Sequence, residues 1–325
     1  MYHALGGVGE RGTRGQRFFP ATCTPPPHPG RDTSGPYRNR RRLRHMFKHY
    51  QDLIMRALEE DGAFDDITTR STVPETQQAQ ATLITRQAGV IAGLSVALDT
   101  FRMLDEEIMI EEVVHDGASV QAGEVLARLN GPARSILSAE RVALNFLGRL
   151  SGIATITAQC VQAVEGTQAR ILDTRKTTPG LRSLEKRAVL LGGGHNHRFG
   201  LSDGVLIKDN HIKAAGSISQ AIAGARRIAP HLLKIEVECE TLAEVEEAIA
   251  AHTDVVLLDN MDTEMMRSAV VLLRREAPQV LIEASGNIGT NMSRLASVAA
   301  TGVDFISLGA ITHSAPNFDV SLEFA

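Results

Sequence analysis

The spacing of apolar residues divides the chain into a first part of mixed periods and a second part that repeats one unit. After Met46, residues Tyr50, Leu53, Ile54, Ala57 and Leu58 recur at helical intervals, which marks one buried helix face. The polar run E-D-G-A-F-D-D-I-T-T that follows reads as a loop. Residues 79–84 and 89–92 read as strands, 96–104 as a helix and 108–114 as a strand. In 116–131, two glycine-centred turns between short apolar stretches suggest a small half-barrel sheet. Ser135 is placed to cap a long Leu-, Ile- and Ala-rich helix running to about Val164. This first part reads as α+β.

The second part is more regular. Apolar, strand-like runs at 169–172, 204–207, 233–237, 255–258, 280–283 and 305–308 alternate with helical patterns at 181–191, 218–228, 242–251, 264–275 and 292–300. Alternation of this kind points to parallel strands joined by helical crossovers. No G-x-G-x-x-G follows the first strand, so a barrel is favoured over an open dinucleotide-binding sheet. Six strands are fewer than eight, so the barrel is expected to be irregular. The expected architecture is α/β: an extension at 1–45, an N-terminal α/β domain at 46–150 and an α/β barrel at 151–325. A return of the C-terminal strand to the first domain is left open.

Composition changes the picture at the N-terminus. Residues 1–45 hold 6 of the 12 prolines, 7 of the 28 glycines and nine arginines, with no periodic apolar pattern. Such a stretch buries too little surface to offset its ordering entropy, and disorder is expected there. An organelle transit peptide and an anion-binding cluster are alternatives; the favoured reading is an extension upstream of a folded protein that opens at Met46. This segment carries +7, against −4 for the whole chain, which leaves −11 on the remainder. An acidic body argues against nucleic acid as a partner. Three cysteines with no close pair, Cys23, Cys160 and Cys239, argue against a disulfide framework or cysteine zinc site. They make a reducing, cytoplasmic setting the default. No window reaches the ~18 apolar residues of a membrane helix.

Polar and glycine residues sit just past the ends of the predicted barrel strands: Asp173, Arg175, Lys176, Lys208, Glu238, Asp259, Ser285, Gly286 and Gly309. In a parallel barrel these positions converge on one mouth. Arg175, Lys176, Arg198 and Lys208, with His197 and His313 near them, imply a strongly anionic ligand. Glu238 and Asp259 end neighbouring strands and suit Mg²⁺ bridged to phosphate oxygens. A-S-G-N at 284–287 and L-G-A at 308–310 can cradle a phosphate with backbone N–H groups. Each feature alone has an ordinary explanation. An isolated arginine is usually solvated, strand-end acids often cap helices, and H-N-H at 195–197 lacks the further ligand a zinc site needs. Their joint placement carries the argument.

The motifs D-T-R-K-T-T-P-G-L-R (173–182), G-G-G-H-N-H-R-F-G-L-S-D (192–203), I-K-D-N-H (207–211), I-E-V-E (235–238), L-L-D-N (257–260), E-A-S-G-N-I (283–288) and G-A-I-T-H-S (309–314) resemble the quinolinate phosphoribosyltransferase family. S-A-E-R-V-A-L-N-F-L (138–147) and the E-D-x-x-x-x-D-I-T run extend the likeness into the first domain. The resemblance covers Met46 to the C-terminus. It implies the type II phosphoribosyltransferase fold, an α/β sandwich beside an irregular α/β barrel. It also implies transfer of phosphoribosyl from phosphoribosyl pyrophosphate to quinolinate, with decarboxylation, in NAD biosynthesis. By resemblance, Arg141, Arg175, His197, Arg198 and Lys208 bind quinolinate, with Arg141 reaching the neighbouring subunit of a homodimer. Lys176, Glu238 and Asp259 hold phosphoribosyl pyrophosphate and Mg²⁺, the two acids directly or through water. Ser285, Gly286, Gly309 and His313 surround the 5′-phosphate. Dimer against hexamer is left open. Asn287 stands where a second glycine also occurs in relatives, a small departure.

Three rivals remain on sequence alone. A transferase acting on nicotinate would need fewer cations. A phosphate-binding barrel lyase or isomerase would need a Schiff-base lysine, for which Lys208 is the candidate. A silent binding paralogue would have no use for Lys176, Glu238 and Asp259.

Overall fold

A computed structural model of the chain describes residues 50–325. The expectations for 1–45 lie outside the described residues. Helix α1 is described over 50–61 and buries Ile54 and Leu58, the predicted face. The stretch expected to be a loop instead makes a 3-10 turn, Ala63–Asp65, and a short helix α2, Ile67–Thr72. Asp66 caps α2 by accepting from the Thr69 N–H at 3.0 Å. An Asp just before an Ile-Thr-Thr run is an N-cap signal, and its carboxylate outweighs the polar composition.

The first sheet has strand order β12-β1-β5-β3 and is antiparallel, built from β1 (Gln78–Thr85), β3 (Met109–Glu112), β5 (Val125–Pro132) and β12 (Val320–Phe324). Strands β2 (Gly89–Val90) and β4 (Ser119–Val120) form a separate two-stranded ribbon. Helix α3 (Leu94–Leu104) and the long α4 (Ala133–Ala163) supply the rest of this layer. Leu83, Leu98, Phe101, Leu126, Leu129, Ile136 and Leu147 are all in the same buried cluster. The last strand adds to the first sheet, with Ala81 opposite Phe324 and Thr85 opposite Val320.

One local expectation changes. Ser135 does not cap α4: β5 runs straight into the helix at Pro132–Ala133, and the Ser135 hydroxyl donates to Asp105 at 2.6 Å. Helix α4 runs on to Ala163, close to the end read from the sequence. Its first half packs Ile136, Ala143 and Leu147 against the sandwich. Its second half packs Leu150, Ile153 and Cys160 into the barrel core. At Gly152 a Cβ would lie 3.1 Å from the Pro316 carbonyl carbon, so only glycine lets the C-terminal segment pass this close to the helix.

The second sheet is parallel, with order β6-β11-β10-β9-β8-β7. Its strands are β6 (Arg170–Leu172), β7 (Val205–Ile207), β8 (Ile235–Cys239), β9 (Val255–Asp259), β10 (Leu281–Ser285) and β11 (Phe305–Ser307). Helices α5 (Arg182–Leu191), α7 (Ile218–Ile228), α8 (Leu242–Ala250), α9 (Thr263–Glu276) and α10 (Met292–Ala299) match the helical patterns of the sequence. Two short ones do not figure there: α6 (Asp209–Ala215) and α11 (Ala310–His313). The barrel has a seam, since β6 and β7 do not pair. At the seam His195 bridges to β6, with its N–H on the Ile171 carbonyl at 2.8 Å and the Asp173 N–H on its own carbonyl at 3.0 Å. Among the described residues no helix is long and apolar enough to cross a membrane.

Candidate active site

Alternation along each parallel strand decides which side chains face the barrel interior. Val237, Val256, Ile282 and Ile306 are buried in the core shared with the helices. Leu206, Lys208, Leu257, Asp259, Glu283, Ser285 and Ser307 line a cleft of about 820 Å³ at the strand ends. Arg175, Lys176, His197, Arg198, Gly286, Gly309 and His313 complete its walls. The strand-end residues read from the sequence therefore meet in one place, except Glu238 and Asp173, the latter fully buried behind the wall on Lys186. Glu238 is not in the cleft wall; it is buried next to it and ion-paired with the Lys208 ammonium. Arg141 is exposed on α4 and lies outside the cleft.

The electrostatics of the cleft are lopsided. Arg175, Lys176 and Arg198 make no ion pair with any described acid. Burial, and then the neighbouring Arg175 charge, hold the Arg198 guanidinium below its usual pKa. On the opposite side, burial and then the charge of Glu238 push the Asp259 carboxyl up. Three unpaired cations facing two crowded acids suit a polyanion that brings a divalent cation with it. Oxygen-only donors at Glu238 and Asp259 match a hard ion such as Mg²⁺.

The loop after β10 shows how backbone shape serves this cleft. Gly286 has φ +79°, and a Cβ there would stand 2.8 Å from the Asn260 backbone nitrogen. Asn260 and Asn287 also take left-handed φ values, 56° and 46°, which Asn tolerates better than most residues. The Asn287 amide donates to the Asn260 side-chain oxygen at 2.8 Å. This contact gives a structural use to the asparagine that departs from glycine. Gly286→Ala is expected to lower unfolding free energy by about 1–3 kcal/mol, measured by urea denaturation; a loss under ~0.5 kcal/mol would mean that the loop relaxes freely.

The family model described as "Quinolinate phosphoribosyl transferase, N-terminal domain" matches residues 66–151, and that for the C-terminal domain matches 153–323. The chain belongs to the quinolinate phosphoribosyltransferase family. A Bacillus subtilis protein named probable nicotinate-nucleotide pyrophosphorylase [carboxylating] is 45% identical over 266 residues, covering 81% of this chain and 89% of the relative. A Mycobacterium leprae protein named nicotinate-nucleotide pyrophosphorylase [carboxylating] is 44% identical, covering 85% and 98%. The crystal structure of NadC from Streptococcus pyogenes superposes with a TM-score of 0.79 at 42% identity, covering 85% of this chain and 96% of that one. The irregular barrel with its adjoining antiparallel sheet is thus the type II phosphoribosyltransferase fold.

Several residues that hold this transferase site together were not singled out in the sequence. Arg149 of α4 pairs with buried Glu185 at 2.8 Å, and also reaches the Thr312 carbonyl, the Ala315 carbonyl and the Thr178 hydroxyl. It thereby ties the loop after β6 to α11. Buried Lys186 of α5 pairs with buried Asp173, and Asp173 also accepts from the His197 N–H at 2.8 Å. Glu236 and Glu283 lie one step deeper than Glu238 and Ser285 along the same strands. The signal for these two was present: each is an acid inside an otherwise apolar strand, in phase with the polar residue at the strand end. Arg149 carries a like signal, as the one charged residue between Arg141 and Glu165, whereas Lys186 lies between Glu185 and Arg187 and carries none.

Proposed function

We propose that the chain transfers phosphoribosyl from phosphoribosyl pyrophosphate to the ring nitrogen of quinolinate, releasing pyrophosphate and CO₂ and giving nicotinate mononucleotide. The observation that carries this reading is the trio of unpaired cations, Arg175, Lys176 and Arg198, on one wall of the cleft. Family membership supports it, as do relatives whose names state a carboxylating or decarboxylating pyridine-nucleotide activity. A dicarboxylate needs more cationic partners than nicotinate does, which favours quinolinate.

Arg175, Arg198 and Lys208, with the ring of His197 beside them, hold the dicarboxylate, and exposed Arg141 serves the cleft of a second copy in a homodimer. The pyridine nitrogen is already a nucleophile and needs no general base. Lys176 offsets negative charge that builds on the departing pyrophosphate, and Asp259 and Glu238 offset positive charge on the sugar. Glu238 and Asp259 would hold Mg²⁺, directly or through water; bound there, it neutralises pyrophosphate oxygens. Ser285, Gly286, Gly309 and His313 receive the 5′-phosphate. Once the N-glycosidic bond has formed, the adjacent pyridinium charge stabilises the electron pair left at C2 when the carboxylate departs as CO₂, and a proton taken up at C2 completes nicotinate mononucleotide. Positioning is the larger share of the catalysis. The location we propose is cytoplasmic, on the likeness to bacterial relatives.

The test is an assay with phosphoribosyl pyrophosphate and either quinolinate or nicotinate, following mononucleotide and CO₂. Product from quinolinate, lost with EDTA and restored by Mg²⁺, is expected. Product from nicotinate alone would move the chain to the neighbouring transferase class, and product that survives EDTA would remove the metal.

A further inference from the structure

Interior layers of a parallel barrel are ordinarily filled by branched apolar side chains. Here the layer below the strand-end residues holds Glu236 of β8 and Glu283 of β10, both buried. Glu236 Oε2 lies 3.2 Å from His197 Nε2 and Glu283 Oε2 lies 3.7 Å from it. The remaining oxygen of each acid, Oε1, is buried with no hydrogen-bond partner. Two such carboxylates raise the cost of folding relative to apolar residues of the same size, so the layer calls for a use.

The other face of the imidazole supplies one. His197 Nδ1 accepts the Arg198 backbone N–H at 2.7 Å. An accepting Nδ1 puts the ring proton on Nε2, pointing at Glu236. The ring is therefore fixed at both nitrogens, between the acid pair below and the main chain of Arg198 above. Burial, and then the charge of Glu236, push the Glu283 carboxyl up from its ordinary value. The Arg198 guanidinium is steadied in turn by donating to the Gly204 carbonyl at 2.9 Å.

We propose that Glu236, backed by Glu283, is a positioning residue of the quinolinate pocket: it fixes the His197 ring and, through that ring, the direction in which Arg198 faces the cleft. The inference rests on the reading of the cleft as a quinolinate site. It assigns a role to two acids that the reading of the cleft leaves without one. The donor atoms of His197, Glu236 and Glu283 also lie within 4.8 Å of one another, so a bound metal is the competing use of the same cluster.

The test compares wild type, Glu236→Gln, His197→Asn and the double variant. Glu236→Gln is expected to raise KM for quinolinate about tenfold while KM for phosphoribosyl pyrophosphate stays within about twofold. Its thermal midpoint should not fall, because a buried charge is removed and not created. His197→Asn should show the same split. The double variant should be no worse than the poorer single one, since both changes break one chain of contacts. Equal rises in both KM values, or additive losses in the double variant, would overturn the proposal. So would a stoichiometric metal in the wild type that Glu236→Gln loses. If Glu236→Gln fails to fold, an unchanged quinolinate KM in His197→Asn sinks it alone. Wild type that makes no product from quinolinate defeats the functional reading beneath it, and that result is distinct from an active wild type whose variants behave normally.

Discussion

Lys186→Met is expected to destabilise the protein by about 3–5 kcal/mol, the cost of leaving a buried charge without its partner. Asp173 and Lys186 are 0% and 2% exposed. Burial pushes the Asp173 carboxyl up, and the Lys186 hydrogen bond and charge act against that rise. Without the ammonium, Asp173 must either stay ionised in a site that penalises charge or take a proton. Protonation weakens its bond from the His197 N–H, and in either case the Lys186 bond to the His197 carbonyl at 3.1 Å is lost. Both contacts span the barrel seam, so quinolinate affinity should fall along with stability. Urea denaturation and the quinolinate KM would read the two effects. A loss below about 1 kcal/mol would show that the seam is held by the His195 bridge to β6 and not by the ion pair.

Arg175→Ala is expected to reduce kcat/KM by the equivalent of about 2–4 kcal/mol, with no loss of stability. The side chain is exposed in the cleft wall and has no acid partner among the described residues. Its charge stands beside that of Arg198 and is among the causes that hold down the Arg198 pKa. The loop that carries it does not depend on that side chain: the Arg175 carbonyl accepts from Arg182 at 3.3 Å and from the Thr177 N–H at 3.0 Å. Removal should therefore act on substrate and not on fold. Steady-state kinetics and a melting curve separate the two. Activity within about twofold of wild type would falsify the assignment of this arginine to quinolinate.

The barrel strands and their five longer helices were readable because each depends on neighbours within a few residues. Runs such as V-V-L-L are buried on both sides, and the helical period between them is unbroken by proline, with Gly224 of α7 the one glycine inside it. Strand ends were readable for the same reason, and with them Arg175, Lys176, Lys208, Asp259, Ser285 and Gly286, since a parallel barrel sends all such ends to one mouth. Local polarity misled where a single hydrogen bond outweighed composition. Asp66 starts a helix in a stretch that looks like loop, and Ser135 spends its hydroxyl on Asp105 instead of on a helix end.

The sequence by itself determined the alternation of elements, the residues presented at the strand ends and the family to which the motifs point. Tertiary structure alone decided what lies between distant parts of the chain. Strand β12 has the alternation of an edge strand in Val320, Leu322 and Phe324, yet nothing in its spacing names β1 as its partner. The seam between β6 and β7, the two-domain use of α4, and the pairs Lys186–Asp173 and Arg149–Glu185 were equally out of reach. The same holds for Glu236 and Glu283 meeting on one imidazole. The physical reason is range. Periodicity and capping are set by interactions within one or two turns of chain, whereas a buried charge is tolerated only where the folded backbone brings its partner within about 3 Å.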